Sequence, residues 1–203
     1  MQQTANRYFI INKPYNMVSQ FKSTHDVQLL GNLNFNFPQG THAVGRLDND
    51  SEGLLILTTN KKLTRLLFLS EVPHARTYLV QINNTLSDKN FDKLRNGVDI
   101  KIKKGVYYKT KPTDVQVINR PQDLCWLGNR VTAYQPFTWL LITLTEGKYH
   151  QVRKMINAVK HRCKRLIRIS IEDLTLGMME PGCVKEISED ELFTKLKIGA
   201  SNK

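Results

Sequence analysis

The chain has 203 residues, of which 40% are hydrophobic, and it carries a formal net charge of +12. A chain of this length can bury a sizeable core, as one domain or as two subdomains. Its basic charge favours a polyanionic partner such as nucleic acid. No stretch approaches the roughly 18 apolar residues of a membrane-spanning helix, and the first residues lack a signal-peptide pattern. We therefore expect no attachment to a membrane.

The three cysteines, Cys125, Cys163 and Cys183, are widely spaced and form no CxxC pair. This spacing disfavours a structural zinc site and a disulfide framework, so we expect a reduced, cytoplasmic setting. The sequence also has no P-loop, no GxGxxG turn and no zinc-deaminase pattern. We therefore expect no metal and no cofactor, which leaves carboxylates, arginines and aromatic residues to carry any chemistry.

The strands are predicted from apolar runs and from alternation of apolar and polar residues. Proline ends the first strand at Lys13-Pro14, because it cannot continue a ladder of hydrogen bonds. In the strand at 76–82, Tyr78 shares a face with Val80 and Ile82. In chain order, the predicted strands are residues 7–12, 54–59, 76–82, two or three within 99–119, 138–145 and 165–171, with 174–178 continuing the sheet.

The helices are predicted from apolar spacing and capping residues. The first helix follows Asn60 and carries Leu63, Leu66 and Leu67, and the second begins at Ser87 and ends at Gly97. The third helix is residues 150–160. The fourth begins at Ser188, where Glu191 completes a capping box. In the third helix, Val152, Met155, Ile156 and Val159 form one apolar stripe. Arg153 lies at the edge of this stripe and can aim its guanidinium into a cleft, whereas Lys154 lies opposite, in solvent.

The order of these elements predicts an α+β protein with many antiparallel strands and no βαβ alternation. Residues 120–136 form a long loop bounded by prolines and containing Trp126 and Tyr134, which is typical of a functional segment. Residues 198–203 are predicted to be a disordered tail. No linker divides the chain, so residues 1–203 are predicted to form a single domain.

Residues 45–60, GRLDNDSEGLLILTTN, combine a charged turn with an apolar strand. Flanking Gly45 and Gly53 allow the backbone to fold tightly and to approach a ligand. Composition alone favours a solvated turn held by local salt bridges, because surface ion pairs are frequent. The turn holds one arginine and three carboxylates: Arg46, Asp48, Asp50 and Glu52.

The segment GRLDNDSEGLLILT resembles the signature of pseudouridine synthases of the RsuA type, which modify ribosomal RNA. Three further segments follow in the family's order over nearly the whole chain: Lys13-Pro14, Arg76-Thr77-Tyr78, and EGKYHQVRKM at 146–155 with Leu166 beyond it. The resemblance implies the pseudouridine synthase fold, which is a central, mostly antiparallel sheet with flanking helices and two subdomains around a catalytic cleft.

Within the family, the chain is similar to the E-type enzymes of large-subunit (23S) rRNA. The first strand begins at Arg7, which leaves no room for the S4-type RNA-binding domain that most members carry, and the 120–136 insertion fits the same type. Asn16, Lys61-Lys62 and Arg76 depart from the family's usual residues. These departures affect the substrate assignment more than the activity.

The resemblance identifies Asp48, the aspartate of GRLD, as the essential residue. Pseudouridine forms when the C1′–N1 bond breaks, the uracil turns and C5 joins the ribose, and a carboxylate can act there as nucleophile or as base. A guanidinium nearby keeps such a carboxylate ionised and orients it, and Arg153 is the candidate. Tyr78 can stack on the target base and transfer a proton. The predicted substrate-binding residues are Arg46, Leu166, Lys13 and Lys148.

Each of these residues also has a structural alternative. Tyr78 and Leu166 can be core residues, Arg153 can form a surface salt bridge, and Arg46 can brace its loop. The target uridine has to leave its stack, and the basic charge supplies compensating phosphate contacts.

Two functions follow from the sequence. The first is isomerisation of one uridine to pseudouridine in rRNA, by a monomer that acts during ribosome biogenesis. The second is a non-catalytic rRNA-binding or ribosome-assembly protein that uses the same fold. Small-subunit (16S) rRNA or transfer RNA remain alternative substrates, because basic charge recognises the RNA backbone and not its sequence.

Overall fold

The computed structural model describes residues 5–68, 72–111, 113–122 and 136–199. The chain divides into two compact units, of which the first contains Met1–His74 and Arg168–Lys203 and the second contains Ala75–Ile167. Most of the predicted 120–136 loop and the end of the predicted tail lie outside the described residues. No described helix is long and apolar enough to cross a membrane.

The first unit is built on antiparallel strands around β1. Strand β1 pairs with β3 on one side and with β11 on the other, so that Tyr8 lies opposite both Thr58 and Ile187. All six residues of β1 are buried, so this strand has two covered faces. The strands of this unit are β1 (Tyr8–Lys13), β2 (His42–Val44), β3 (Glu52–Thr58), β10 (Leu174–Thr175) and β11 (Val184–Ile187).

Two helices and a 3-10 turn complete this unit. The helices are α1 (Leu63–Phe68) and α4 (Glu189–Lys195), and the turn is Leu30–Asn32. Asn60 Oδ1 accepts a bond from Lys62 N (3.0 Å), so Asn60 caps α1 as its position predicts. Leu66, however, is 40% exposed and does not join the core.

The second unit holds an antiparallel sheet in which β8 lies between β4 and β7. A separate hairpin is formed by β5 and β6. The elements are β4 (Arg76–Asn83), α2 (Asp88–Asn96), β5 (Asp99–Lys103), β6 (Val106–Lys109), β7 (Asp114–Ile118), β8 (Phe137–Leu144) and α3 (Gln151–Ala158). Ser87 Oγ caps α2, and Gly97, with φ +87°, ends it.

The apolar stripe of α3 packs into the core of the second unit. Val152, Met155, Ile156 and Val159 are each at most 4% exposed and belong to one cluster with residues of β4, β5, β7 and β8. The predicted solvent position of Lys154 is only partly correct. Lys154 is half-buried, and its Nζ atom lies 5.1 Å from the ring centroid of Tyr149.

Strand β9 (Cys163–Ile171) begins in the second unit and ends in the first. In the second unit, Asn83 N at the end of β4 donates to Arg162 O (3.1 Å) just before β9 begins. In the first unit, Leu174 of β10 lies opposite Ile171 of β9. The predicted sheet at 174–178 is therefore shorter than expected, and β11 was not predicted.

Candidate active site

The GRLD motif lies in the loop of residues 45–51, which joins β2 to its antiparallel partner β3. Gly45 has φ +72°, and a Cβ atom there would lie 2.7 Å from Phe68 Cε2. Gly53 has φ +102°, and a Cβ atom there would lie 2.3 Å from the backbone oxygen of Arg168. Protein atoms therefore lie against both glycines, and the predicted approach of a ligand to this backbone stays a prediction.

Asp48 is half-buried in this loop, and the backbone on both sides of it is fixed. Ser19 Oγ donates to Leu47 O (2.8 Å) and accepts a bond from Leu47 N (3.0 Å). Ser51 N donates to Asp48 O (3.0 Å), which closes the turn after the aspartate. A fixed backbone limits the positions open to the Asp48 carboxylate, and its predicted role in the reaction stays a prediction.

Lys13 lies under the same loop with no exposed surface. Its Nζ atom donates to Pro14 O (2.8 Å) and Met17 O (2.5 Å), and it lies 3.5 Å from Asn49 O. The pKa of Lys13 is lowered to about 8. Burial, which lowers this pKa, outweighs the attraction of three carboxylates, which raises it. In decreasing order, these carboxylates belong to Glu52, Asp50 and Asp48.

These contacts favour a positioning role for Lys13 over the RNA contact that the sequence predicts. A buried ammonium group bonded to backbone oxygens cannot reach a phosphate without leaving its site. Arg46, by contrast, is exposed in the loop, where it is available to a phosphate. Its predicted contact with RNA stays a prediction.

Two further residues of the first unit were missed by sequence reasoning. Ser19 fixes Leu47, as described above, but a serine in a polar stretch carries no pattern that indicates such a bond. Arg168 is 3% exposed, and its Nε atom donates to Leu54 O (2.8 Å), which joins β9 to β3 immediately after Gly53. The sequence feature that could have indicated a buried role for Arg168 is an arginine inside an otherwise apolar strand.

In the second unit, three predicted residues lie on three different elements. Tyr78 in β4 is half-buried against the core cluster, and Leu166 in β9 belongs to that cluster with 5% exposure. Arg153 on α3 is half-buried, and its Nη1 atom lies 3.5 Å from Cys163 O at the start of β9. The packing of Tyr78 and Leu166 agrees with a structural role, and their predicted contacts with the target base stay predictions. The predicted pairing of Arg153 with Asp48 also stays a prediction.

Lys148 is exposed in the turn of residues 146–150, immediately before α3. Its Nζ atom lies 4.7 Å from the ring centroid of Tyr108, and its backbone N donates to Gln151 Oε1 (2.8 Å). The exposed ammonium group can contact RNA, as the sequence predicts. Among the residues that the structure describes, no group of three or more histidine, cysteine, aspartate or glutamate side chains could hold a metal ion.

Comparison with known proteins identifies the family. The family model described as RNA pseudouridylate synthase matches residues 7–158 of the chain, which include the Asp48 loop, β4 and α3. A solved structure titled as a crystal structure of pseudouridylate synthase has 25% identity and a TM-score of 0.76 over 95% of this chain and 74% of its own. The human RNA Pseudouridylate Synthase Domain Containing 1 shares the fold, with a TM-score of 0.55 and 15% identity over 94% of this chain and 91% of its own.

Curated relatives agree with the family model. The ribosomal large subunit pseudouridine synthase E of Vibrio parahaemolyticus is 38% identical over 89% of this chain and 74% of its own length. The protein of the same name from Xanthomonas axonopodis is 34% identical over 85% of this chain and 89% of its own. The ribosomal small subunit pseudouridine synthase A of Yersinia pestis is 31% identical over 94% of this chain and 73% of its own length. The chain therefore belongs to the RNA pseudouridylate synthase family.

Proposed function

We propose that this protein isomerises one uridine of large-subunit ribosomal RNA to pseudouridine, with Asp48 as the reacting carboxylate. The observation that carries the proposal is the half-buried Asp48 in a loop fixed by Ser19, Ser51 and Lys13. The choice of large-subunit rRNA is supported by the names of the Vibrio and Xanthomonas relatives.

The proposed reaction needs no external reagent. The C1′–N1 bond of the uridine breaks, the uracil turns while it is held, and a C5–C1′ bond forms. C5 loses its proton and N1 gains one, so the product has the composition of the substrate. Asp48 attacks either the ribose or the ring, and in both cases it has to be ionised and aimed at the base or the sugar.

Two residues of the second unit complete the proposed chemistry. Arg153 supplies a guanidinium group, whose paired donors can bind and orient a carboxylate. Tyr78 stacks on the uracil and transfers the proton that C5 loses. Leu166 forms an apolar wall for the base.

The net charge of +12 supports RNA binding before the chemical step. The target base has to leave its stack, which costs a few kcal/mol, and contacts between basic side chains and phosphates offset this cost. Binding should therefore weaken steeply with salt. A monomer acting in the cytoplasm is part of the same proposal.

A small-subunit rRNA substrate is the second candidate, since the Yersinia pestis relative is named for that subunit. A binding protein without chemistry is disfavoured by the chain itself, because Asp48, Tyr78 and Arg153 are all retained. The two candidate substrates are distinguished by finding whether large-subunit or small-subunit rRNA acquires the pseudouridine.

The test is pseudouridine mapping on large-subunit and small-subunit rRNA transcribed in vitro. Carbodiimide labelling followed by primer extension should give one new stop on large-subunit rRNA with the wild-type protein. Asp48→Ala and the isosteric Asp48→Asn should lower the rate by at least about three orders of magnitude, because each removes the reacting carboxylate.

Matched RNA-binding measurements show whether the Asp48 variants still bind. We expect their affinity to stay within about two-fold of wild type, since phosphate contacts dominate affinity. A stop that persists with Asp48→Asn would exclude Asp48 as the reacting group. A stop on small-subunit rRNA alone would replace the proposed substrate with the second candidate.

A further inference from the structure

The turn before α3 displays an aromatic pair that has no role in the proposed chemistry. Tyr149 is 72% exposed, yet its ring is not loosely placed in solvent. It stacks on the imidazole of His150, with 3.9 Å between ring centroids and 26° between ring planes. We call Tyr149 and His150 the aromatic platform.

The turn that carries the aromatic platform is fixed by the carboxylate of Glu146. This carboxylate accepts bonds from Tyr108 Oη (2.5 Å), Gln151 Nε2 (2.6 Å) and Lys111 N (3.2 Å). Gln151, which is 4% exposed, also accepts the bond from Lys148 N at the middle of the turn. One buried amide side chain and one carboxylate with three donors therefore hold the turn.

His150 adopts a left-handed backbone conformation, with φ +54° and ψ +33°. This region is uncommon for a residue other than glycine and costs on the order of 1 kcal/mol or more. The surrounding bonds maintain this conformation at the residue immediately before α3. The consequence is a fixed imidazole ring against which Tyr149 lies.

Two lysines accompany the aromatic platform. Lys154 Nζ lies 5.1 Å from the centroid of the Tyr149 ring. Lys148 is exposed in the same turn as Tyr149, and its Nζ atom lies over the ring of Tyr108 in β6. The Glu146 carboxylate is half-buried and is directed at three donors, Tyr108 Oη, Gln151 Nε2 and Lys111 N. Exposed aromatic rings beside flexible cations are the combination by which proteins bind unpaired RNA, since bases stack on the rings and phosphates contact the cations.

We propose that the aromatic platform stacks an unpaired nucleobase of the bound RNA strand, while Lys154 and Lys148 contact its phosphates. The inference rests on the proposed function, in that RNA is the substrate. Stacking on a preformed ring pair loses little conformational freedom, so an exposed tyrosine that is already oriented contributes to affinity. The platform thereby increases the affinity for single-stranded RNA without reading its sequence.

The test compares two fluorescein-labelled probes of equal length, single-stranded oligouridylate and an abasic ribose-phosphate oligomer. The abasic probe keeps the phosphates but has no bases to stack. Fluorescence anisotropy should show that Tyr149→Ala weakens oligouridylate binding by about five-fold to one-hundred-fold. The same variant should leave binding of the abasic probe within about two-fold of wild type.

Two further variants sharpen this result. Tyr149→Trp keeps a stacking surface and should bind oligouridylate at least as tightly as wild type. Tyr107→Ala is the matched control, because Tyr107 is a 67% exposed tyrosine on the lysine-bearing hairpin of β5 and β6. It should lose less than about two-fold on either probe.

Three outcomes would overturn the proposal. One is an equal loss with both probes, which would mean that Tyr149 acts only through the charges around it. Another is an equal loss from Tyr107→Ala, which would mean that any exposed tyrosine contributes in the same way. The third is no loss from Tyr149→Ala. Circular dichroism should show that all variants fold, because both tyrosines lie on the surface.

This measurement is independent of product formation. If Asp48→Asn still makes pseudouridine, the proposed role of Asp48 fails while the oligouridylate result stands. If Tyr149→Ala binds like wild type while Asp48→Asn is inactive, the platform fails while the proposed function stands.

Discussion

The loop of residues 45–51 and the turn of residues 146–150 are fixed in the same way but present different side chains. In each, a buried polar side chain bonds to backbone atoms, namely Ser19 to Leu47 in the loop and Gln151 to Lys148 in the turn. The loop keeps its principal residue, Asp48, half-buried, whereas the turn leaves Tyr149 72% exposed.

This difference matches the two tasks that we propose. A reacting carboxylate gains from a fixed position with restricted access to water, since both favour reaction with a bound substrate. A stacking ring has to be reachable by an incoming strand, so exposure is part of its role. Changes near the loop should therefore lower the turnover rate, and changes in the turn should weaken RNA binding.

The largest expected effect on stability comes from Gly53, which lies in β3 just after the loop. In Gly53→Ala, the new Cβ would lie 2.3 Å from Arg168 O, in a backbone with φ +102°. We expect a loss of more than about 3 kcal/mol in the free energy of unfolding, measured by urea denaturation.

Gly105→Ala is the matched control for this substitution. Gly105 also has a positive φ, of +74°, but its Cβ would meet no atom within 4 Å. Backbone strain alone should then cost about 1–2 kcal/mol. Equal losses in the two variants would show that the contact between Gly53 and β9 contributes nothing, and that the loop is less tightly held than we infer.

The next effect is a pH dependence from Lys13. Because the pKa of Lys13 is about 8 in the folded protein and 10.5 ordinarily, the unfolded chain binds more protons between these two values. The contribution of Lys13 to the free energy of unfolding should therefore rise with pH in this window, by up to about 1.4 kcal/mol per pH unit. Below pH 8 Lys13 is protonated in both the folded and the unfolded protein, so its contribution to the free energy of unfolding does not change with pH.

Lys13→Met supplies the reference, since it removes the titrating group and keeps most of the side-chain volume. Urea denaturation at several pH values should show the extra slope in the wild type and not in Lys13→Met. Lys61→Met, which changes an exposed lysine, should keep the wild-type slope. Identical slopes in wild type and Lys13→Met would mean that the pKa of Lys13 is not lowered in the folded protein.

A further expected effect is that of Ser19→Ala. Removing the hydroxyl leaves Leu47 N and O without their partner, which should lower the free energy of unfolding by about 1–3 kcal/mol. The turnover rate, followed by tritium release from RNA labelled at uridine C5, should fall roughly ten-fold because the Asp48 backbone loosens.

Ser87→Ala tests whether that fall in rate follows from lost stability alone. It removes the cap of α2 and should cost about 1 kcal/mol, but it lies outside both the loop and the turn. We expect it to lower stability without lowering turnover. A comparable fall in rate in both variants would remove the distinction between the loop and the rest of the fold.

Local patterns were sufficient to predict most of the helices and strands. The apolar stripe of α3, the Ser87 cap and the alternation in β4 each depend on neighbours along the chain, and each is present in the structure. Strand β11 was missed because its sequence, VKEI, is short and half polar. It becomes a strand by pairing with β1, which is far away in the sequence.

The site was predicted less completely than the fold, for a similar reason. The motif indicated Asp48, but nothing local indicates that Ser19 bonds to Leu47 or that Lys13 bonds to backbone oxygens. Such bonds depend on where the chain passes in space, which residue type and spacing do not encode. Tyr149 stood inside a recognised motif, and only its exposure and its stacking on His150 drew attention to it.

The division of the first unit into two stretches of chain has a consequence for synthesis. The second unit is one continuous stretch, so it can fold as soon as Ile167 has left the ribosome. Until β11 emerges, β1 keeps an unpaired edge, and until Arg168 emerges nothing packs against Gly53. Pairings between distant segments also form slowly. The Asp48 loop should therefore reach its final form later than the second unit does, because it waits for segments that are made after that unit.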